Sequence, residues 1–196
     1  MGTSSSGNAV ALAIALVVVV SGGSYALSRL ALQQAQEEGA PLAKQRAVER
    51  ETALRQKRMA ELLKSLEDSI ATHPLDSMMV ISAGNVSYDL GQFDKAAQYY
   101  ETFLTSIDPS KTAVRIDYAY ALFQSGNVEK GKNVLLAVIA KEPKNQSALF
   151  NLAVMYIEES NTEKALETFR ECYKADPASD IGKRAALAVQ QLETTT

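Results

Sequence analysis

The chain has 196 residues but a single cysteine, a single histidine and no tryptophan. Cys172 alone can form no intrachain disulfide, so cysteine usage assigns no redox compartment. Cys172 and His73 together are too few for a Cys/His metal site, and neither has the partner that nucleophilic or acid–base chemistry needs. Charge of one sign is also lacking. Twenty Lys and Arg stand against 23 Asp and Glu, a net −3 with no recurring basic stripe, which gives no footprint for nucleic acid. Gly22-Gly23 lacks the spacing of a phosphate loop. No enzyme, cofactor or metal is expected, and the function has to lie in a surface.

The first 28 residues contain no charged side chain at all. After a short polar tail (1–8), Ala9 to Val20 form twelve unbroken apolar residues, and nineteen uncharged residues run from Ala9 to Leu27. About 20 are needed to cross a bilayer, so 9–28 is read as a transmembrane anchor, with a cleaved signal peptide ending at Ser24-Tyr25-Ala26 as the alternative. Positive charge near the span lies on its carboxyl side, which favours a cytoplasmic over a periplasmic placement of the rest of the chain. A linker is expected over 29–41, closed by Gly39 and Pro41. A long charged helix is then expected over 42–73. Lys44, Arg46, Arg50, Arg55, Lys57 and Arg58 on it are either a solvated face or a contact for anionic lipid. Further along, Met59, Leu62, Leu63, Leu66 and Ile70 form a helical apolar stripe that requires cover.

Proline is scarce, but four of the five stand almost equally spaced. Pro109, Pro143 and Pro177 are 34 residues apart, and Pro74 precedes them by 35. Each interval holds an apolar helix, a short turn, a second apolar helix and a polar residue before proline. The turns are Gly91-Gln92-Phe93-Asp94-Lys95-Ala96, Gly126-Asn127-Val128-Glu129-Lys130-Gly131 and Ser160-Asn161-Thr162-Glu163-Lys164-Ala165. A fixed period of this length means stacked copies of a unit too small to bury its own apolar face. The pattern resembles the tetratricopeptide repeat (TPR), with units over 77–109, 112–143 and 146–177 and a capping helix over 178–193. The expected fold class is therefore all-α: a three-repeat TPR solenoid with helical caps, preceded by a long helix and an amino-terminal transmembrane helix. The resemblance places small residues where paired helices cross, namely Gly84 and Ala96, Ala119 and Gly131, Ala153 and Ala165. Gly131 departs from the usual alanine, at a helix-propensity cost of about 1 kcal/mol. Tyr100, Phe103 and Phe169 would fill spaces between helices, and Cys172 would be a small buried hydrophobe.

The same resemblance implies a concave groove lined by the first helix of each unit. Carried across, it comprises Met78, Ile81, Asn85, Tyr88 and Asp89, then Ile116, Asp117, Tyr120 and Phe123, then Phe150, Asn151, Val154 and Ile157, with Glu158 at its end. Members of the family that grip an acidic carboxyl tail use basic residues where this chain has Ile81, Ser147 and Asn151. The implied ligand is instead an apolar or amphipathic protein segment. Three roles fit, the first two being a membrane-anchored scaffold that recruits a protein during assembly of a membrane-associated complex, and a permanent subunit of such a complex held by its transmembrane helix. A third, receptor work at the mitochondrial outer membrane, fits the same layout.

Overall fold

The computed structural model describes the backbone of residues 24–195 and the side chains of residues 44–194. The expected tail and most of the expected anchor, residues 1–23, lie outside the described residues. Among the described residues, no helix is long and apolar enough to cross a membrane. These residues fold as helices and turns, without strands. The chain divides into a unit ending at Arg55 and a body beginning at Gln56.

The first helix, α1 (Ser24–Thr72), differs from expectation. It continues through Gly39 and Pro41, so residues 29–41 are helical and the helix does not begin at 42. The flanks explain this: Leu30 to Glu38 and Lys44 to Arg58 are mostly Ala, Leu, Gln, Glu, Lys and Arg, the strongest helix formers, and they carry the helix past two poor ones. From Lys44 to Arg58 every side chain is exposed, including all six basic residues named above. The apolar stripe beyond is covered in part. Leu63 is 4% exposed and Ile70 packs on the first repeat's core, but Leu62 stays half exposed. Polar contacts complete the attachment: Tyr99 Oη donates to Glu67 Oε1 at 3.0 Å, and Lys95 Nζ lies 2.5 Å from the same oxygen.

Three helix pairs come next: α2 (Ser77–Asp89) with α3 (Phe93–Ser106), α4 (Thr112–Gln124) with α5 (Val128–Lys141), and α6 (Gln146–Glu158) with α7 (Thr162–Ala175). The last helix is α8 (Asp180–Thr195). Each pair is joined by the same turn. Its left-handed residue is Gly91 (φ 73°), Gly126 (φ 88°) or Ser160 (φ 59°), and the next amide reaches back to close the helix, as in Gln92 N–H to Ser87 O at 2.8 Å. Glycine suits that φ and serine tolerates it at some cost. Two first helices also have side-chain caps at their amino ends, Asp76 accepting from Met79 N and Asn145 from Ala148 N.

The core runs as three linked apolar clusters, one under each junction. Ala96, Ala119, Ala153 and Ala165 are fully buried at the crossings, and Tyr100, Phe103 and Phe169 are each 3% exposed. The first cluster joins α2–α3 to α4 and the second joins α4–α5 to α6. The third seats α8 on α6 and α7, with Ala185 inside it. Polar bridges accompany the apolar ones. Glu101 on α3 accepts from Tyr118 Oη on α4 (2.6 Å) and Lys130 Nζ on α5 (3.2 Å). Lys132 on α5 pairs with Glu159 after α6 at 2.7 Å.

These bridges predict an acid-labile fold. Hydrogen bonds from Lys95 to Glu67, and from Tyr118 and Lys130 to Glu101, hold both carboxyls below the usual carboxylate range. Their stabilisation is present above the unfolded value of about 4.3 and is lost as pH falls through the folded values. Asp117 acts oppositely, because desolvation raises its carboxyl, but hydrogen bonds lower Asp108 and Glu142 as well, so it is one group against four. Thermal unfolding should hold steady near pH 6 and fall below about pH 4.3. Glu101→Gln should flatten part of that fall; an unchanged profile would show the bridge to be inconsequential.

Candidate protein-interaction groove

The first helices of the three pairs frame an open pocket of about 470 Å³. It is lined by Asn85, Tyr88 and Asp89 from α2, Tyr100 from α3, Asp117 and Tyr120 from α4, and Asn151 from α6. All three first helices therefore contribute, so the pocket exists only because the units stack. Tyr88 and Tyr120 bridge the first junction with ring centroids 5.9 Å apart. Phe93 extends this row on one side (5.1 Å, edge to face) and Phe123 on the other (6.1 Å, stacked). Rings at these separations and angles interact favourably and hold each other in place.

Tyr100, expected as a filler between helices, also reaches the pocket. Its ring lies against Gly84: a Cβ there would sit 2.6 Å from Tyr100 Cε1. The absent side chain at Gly84 lets the phenol through, where its Oη donates to Asn85 Oδ1 at 2.8 Å. The sequence signal is a glycine mid-helix opposite a tyrosine, which by itself indicates only a close helix contact.

Not every expected groove residue lines the pocket. Ile116 is 5% exposed within the second core cluster. Successive helix residues turn by about 100°, so its neighbour Asp117 faces the concavity and Ile116 faces the next helix. Ile81 packs on the first cluster. Phe150, Val154 and Ile157 pack in the third cluster with α8, and Arg184 of α8 covers the Phe150 ring at 4.7 Å. Phe123 backs Tyr120, and Met78 stands 77% exposed at the start of α2. Of the apolar residues expected to line the groove, Ile81, Ile116, Phe150, Val154 and Ile157 thus pack in the core or under the cap. The pocket that remains is aromatic, amide-bearing and acidic.

Its electrostatics come from that lining. Burial, with Tyr120, Asp89 and Asp117 nearby, pushes the Tyr88 phenol up to about 12. Burial and the same two carboxylates raise Tyr100 further still. Asp117 keeps solvent access in area, yet the walls of the concavity desolvate its carboxyl enough to raise it. The Tyr88 and Tyr100 phenols thus remain protonated donors at any physiological pH.

Among the described residues no group of His, Cys, Asp and Glu side chains could hold a metal ion. Cys172 is fully buried, its thiol donating to Gln146 O at 3.4 Å, and burial pushes it up to about 11.

Comparison with known proteins agrees with this architecture. Residues 29–181 match the family described as the cytochrome c-type biogenesis protein H TPR domain. No protein with a curated description matches. Solved structures with a similar fold include MamA protein (TM-score 0.57, 15% identity, covering 69% of this chain and 72% of that one). The Sgt2 TPR domain from Aspergillus fumigatus is also similar (0.52, 23%, covering 61% and 78%). So is the first TPR of Spaghetti (RPAP3) bound to HSP90 peptide SRMEEVD (0.51, 14%, covering 61% and 91%). At these identities the likeness is one of fold.

Proposed function

The chain belongs to the cytochrome c-type biogenesis protein H TPR domain family, and from that premise we propose that it is a non-enzymatic, membrane-anchored scaffold. In this reading its concave pocket holds a segment of a client protein while a membrane-associated complex is assembled. The family description points to cytochrome c biogenesis as the setting. The observation that carries the proposal is the pocket itself, built by three successive first helices and furnished with donors, acceptors and aromatic faces for a peptide. The similar TPR of Spaghetti is bound to a peptide. The uncharged segment 9–28 would supply the anchor, and the exposed basic residues of α1 between Lys44 and Arg58 would meet anionic lipid beside it.

The test is capture of partners by the full chain from mild detergent, compared with Tyr120→Ala/Asn151→Ala. These two replace pocket residues; Phe150 is unsuitable because it is packed under α8. Clients should fall by at least about tenfold with the double variant, the scale expected for losing one aromatic anchor. Retention of every partner by the double variant, with loss on deletion of residues 1–40, would instead make the chain a fixed subunit held by its amino-terminal segment.

A further inference from the structure

The pocket carries two carboxylates and no cation to answer them. Elsewhere on the body, acidic side chains that bridge helices are answered by a donor: Glu67 has Lys95, Glu101 has Lys130, Glu159 has Lys132, and Glu142 has Thr112 and Asn145. Asp89 and Asp117 make no hydrogen bond or ion pair among the described residues, and no Lys, Arg or His lines the pocket with them. The remaining lining consists of groups that suit a cation. Tyr88 and Tyr120 offer aromatic rings, Tyr88, Tyr100 and Tyr120 offer phenol oxygens, and Asn85 and Asn151 offer amide oxygens. An ammonium or guanidinium is attracted to carboxylate and to aromatic faces alike. An acidic or purely aliphatic group would leave those carboxylates facing a like charge or a dry surface.

From this charge complementarity we infer that the pocket takes a lysine or arginine side chain presented by the client segment, held between the tyrosines and the carboxylates of Asp89 and Asp117. The inference rests on the groove reading above and sharpens it: the ligand is amphipathic, with a basic residue at the position that enters the pocket. Desolvation, which raises the Asp117 carboxyl, is offset when a cation arrives. Asp117 sets charge preference, whereas Tyr120 supplies contact for any side chain.

The experiment is a titration of the full chain in detergent, followed by backbone amide NMR, with N-acetyl-lysine methylamide and its norleucine counterpart, which has the same stem without the charge. The lysine compound should shift the amides of Asn85, Asp89, Asp117 and Tyr120 saturably and bind about three- to fivefold more tightly than the norleucine compound. Added salt should narrow the difference, and Asp117→Asn should abolish it without lowering thermal stability, since the buried charge it removes is itself unfavourable to folding. Equal binding of the two compounds, shifts mapping away from the pocket, or a preference that survives both Asp117→Asn and Asp89→Asn would overturn the inference. Client capture separates this from the broader reading. Equal binding of the two compounds with client loss in Tyr120→Ala/Asn151→Ala leaves the groove standing and removes the cation. A clear lysine preference with clients unaffected by that double variant removes the groove.

Discussion

Gly131→Ala is expected to lower the melting temperature, although alanine is the better helix former by about 1 kcal/mol. A Cβ at Gly131 would lie 2.6 Å from the carbonyl oxygen of Ala119 and 3.2 Å from the amide nitrogen of Phe123, both backbone atoms of α4. No rotamer change relieves such a contact; α4 and α5 would have to separate. Overpacking of this kind costs about 1–3 kcal/mol against about 1 kcal/mol of propensity gained, so a net loss of up to about 2 kcal/mol is expected. For a body of this size that is a fall of up to about 6 °C. Gly182→Ala should do more harm. Its Cβ would sit 2.0 Å from Asp176 O and 3.1 Å from Gln146 Nε2, at the point where α8 is stapled to α6. Gln146 Nε2 there donates to the carbonyls of Cys172 and Asp176, and its Oε1 accepts from Ser179 Oγ at 2.6 Å. Differential scanning calorimetry on both variants checks the order. A rise in melting temperature for Gly131→Ala would show that the α4–α5 crossing can spread freely.

Ending the chain after Pro177 should make Cys172 reactive. Without α8 the third apolar cluster loses Ala185 and the half-buried Ile181, Ala188, Val189 and Leu192, uncovering Leu149, Phe169 and Cys172. A terminal unit with a bare apolar face is destabilised and prone to associate. The thiol, held up near 11 by burial, would return toward about 8.5, raising the thiolate fraction near neutral pH by roughly two orders of magnitude. Labelling by a thiol-disulfide reagent should be slow in the full chain and fast in the shortened one. Equal protection in both would mean that α6 and α7 close over Cys172 without help.

The repeats are legible in the sequence because two signals coincide: the 34-residue spacing of the prolines, and the small residues at crossings that exclude anything larger. Ala119, Ala153 and Ala165 can be placed from that pattern, and each is fully buried. The groove is harder to read because it depends on rotation within a helix. Ile116 and Asp117 are adjacent, and the sequence does not say which turns inward. The C-terminal helix is recognisable as a cap, but its reach over Phe150, Val154 and Ile157 depends on tertiary packing that no local pattern encodes. Tyr100 enters the pocket through the gap at Gly84, a matter of shape. At Gly39 and Pro41 local rules point to a break, and the long run of helix formers on both sides prevails.

The chain has eight tyrosines and no tryptophan, and three of the eight face the pocket. Its near-ultraviolet absorption and emission are therefore those of phenols, with no indole to mask them. The Tyr88–Tyr120 pair is close enough for the two rings to report on each other. Occupation of the pocket should thus be visible in the unlabelled protein as a change in tyrosine circular dichroism and fluorescence, so the groove has a built-in optical gauge.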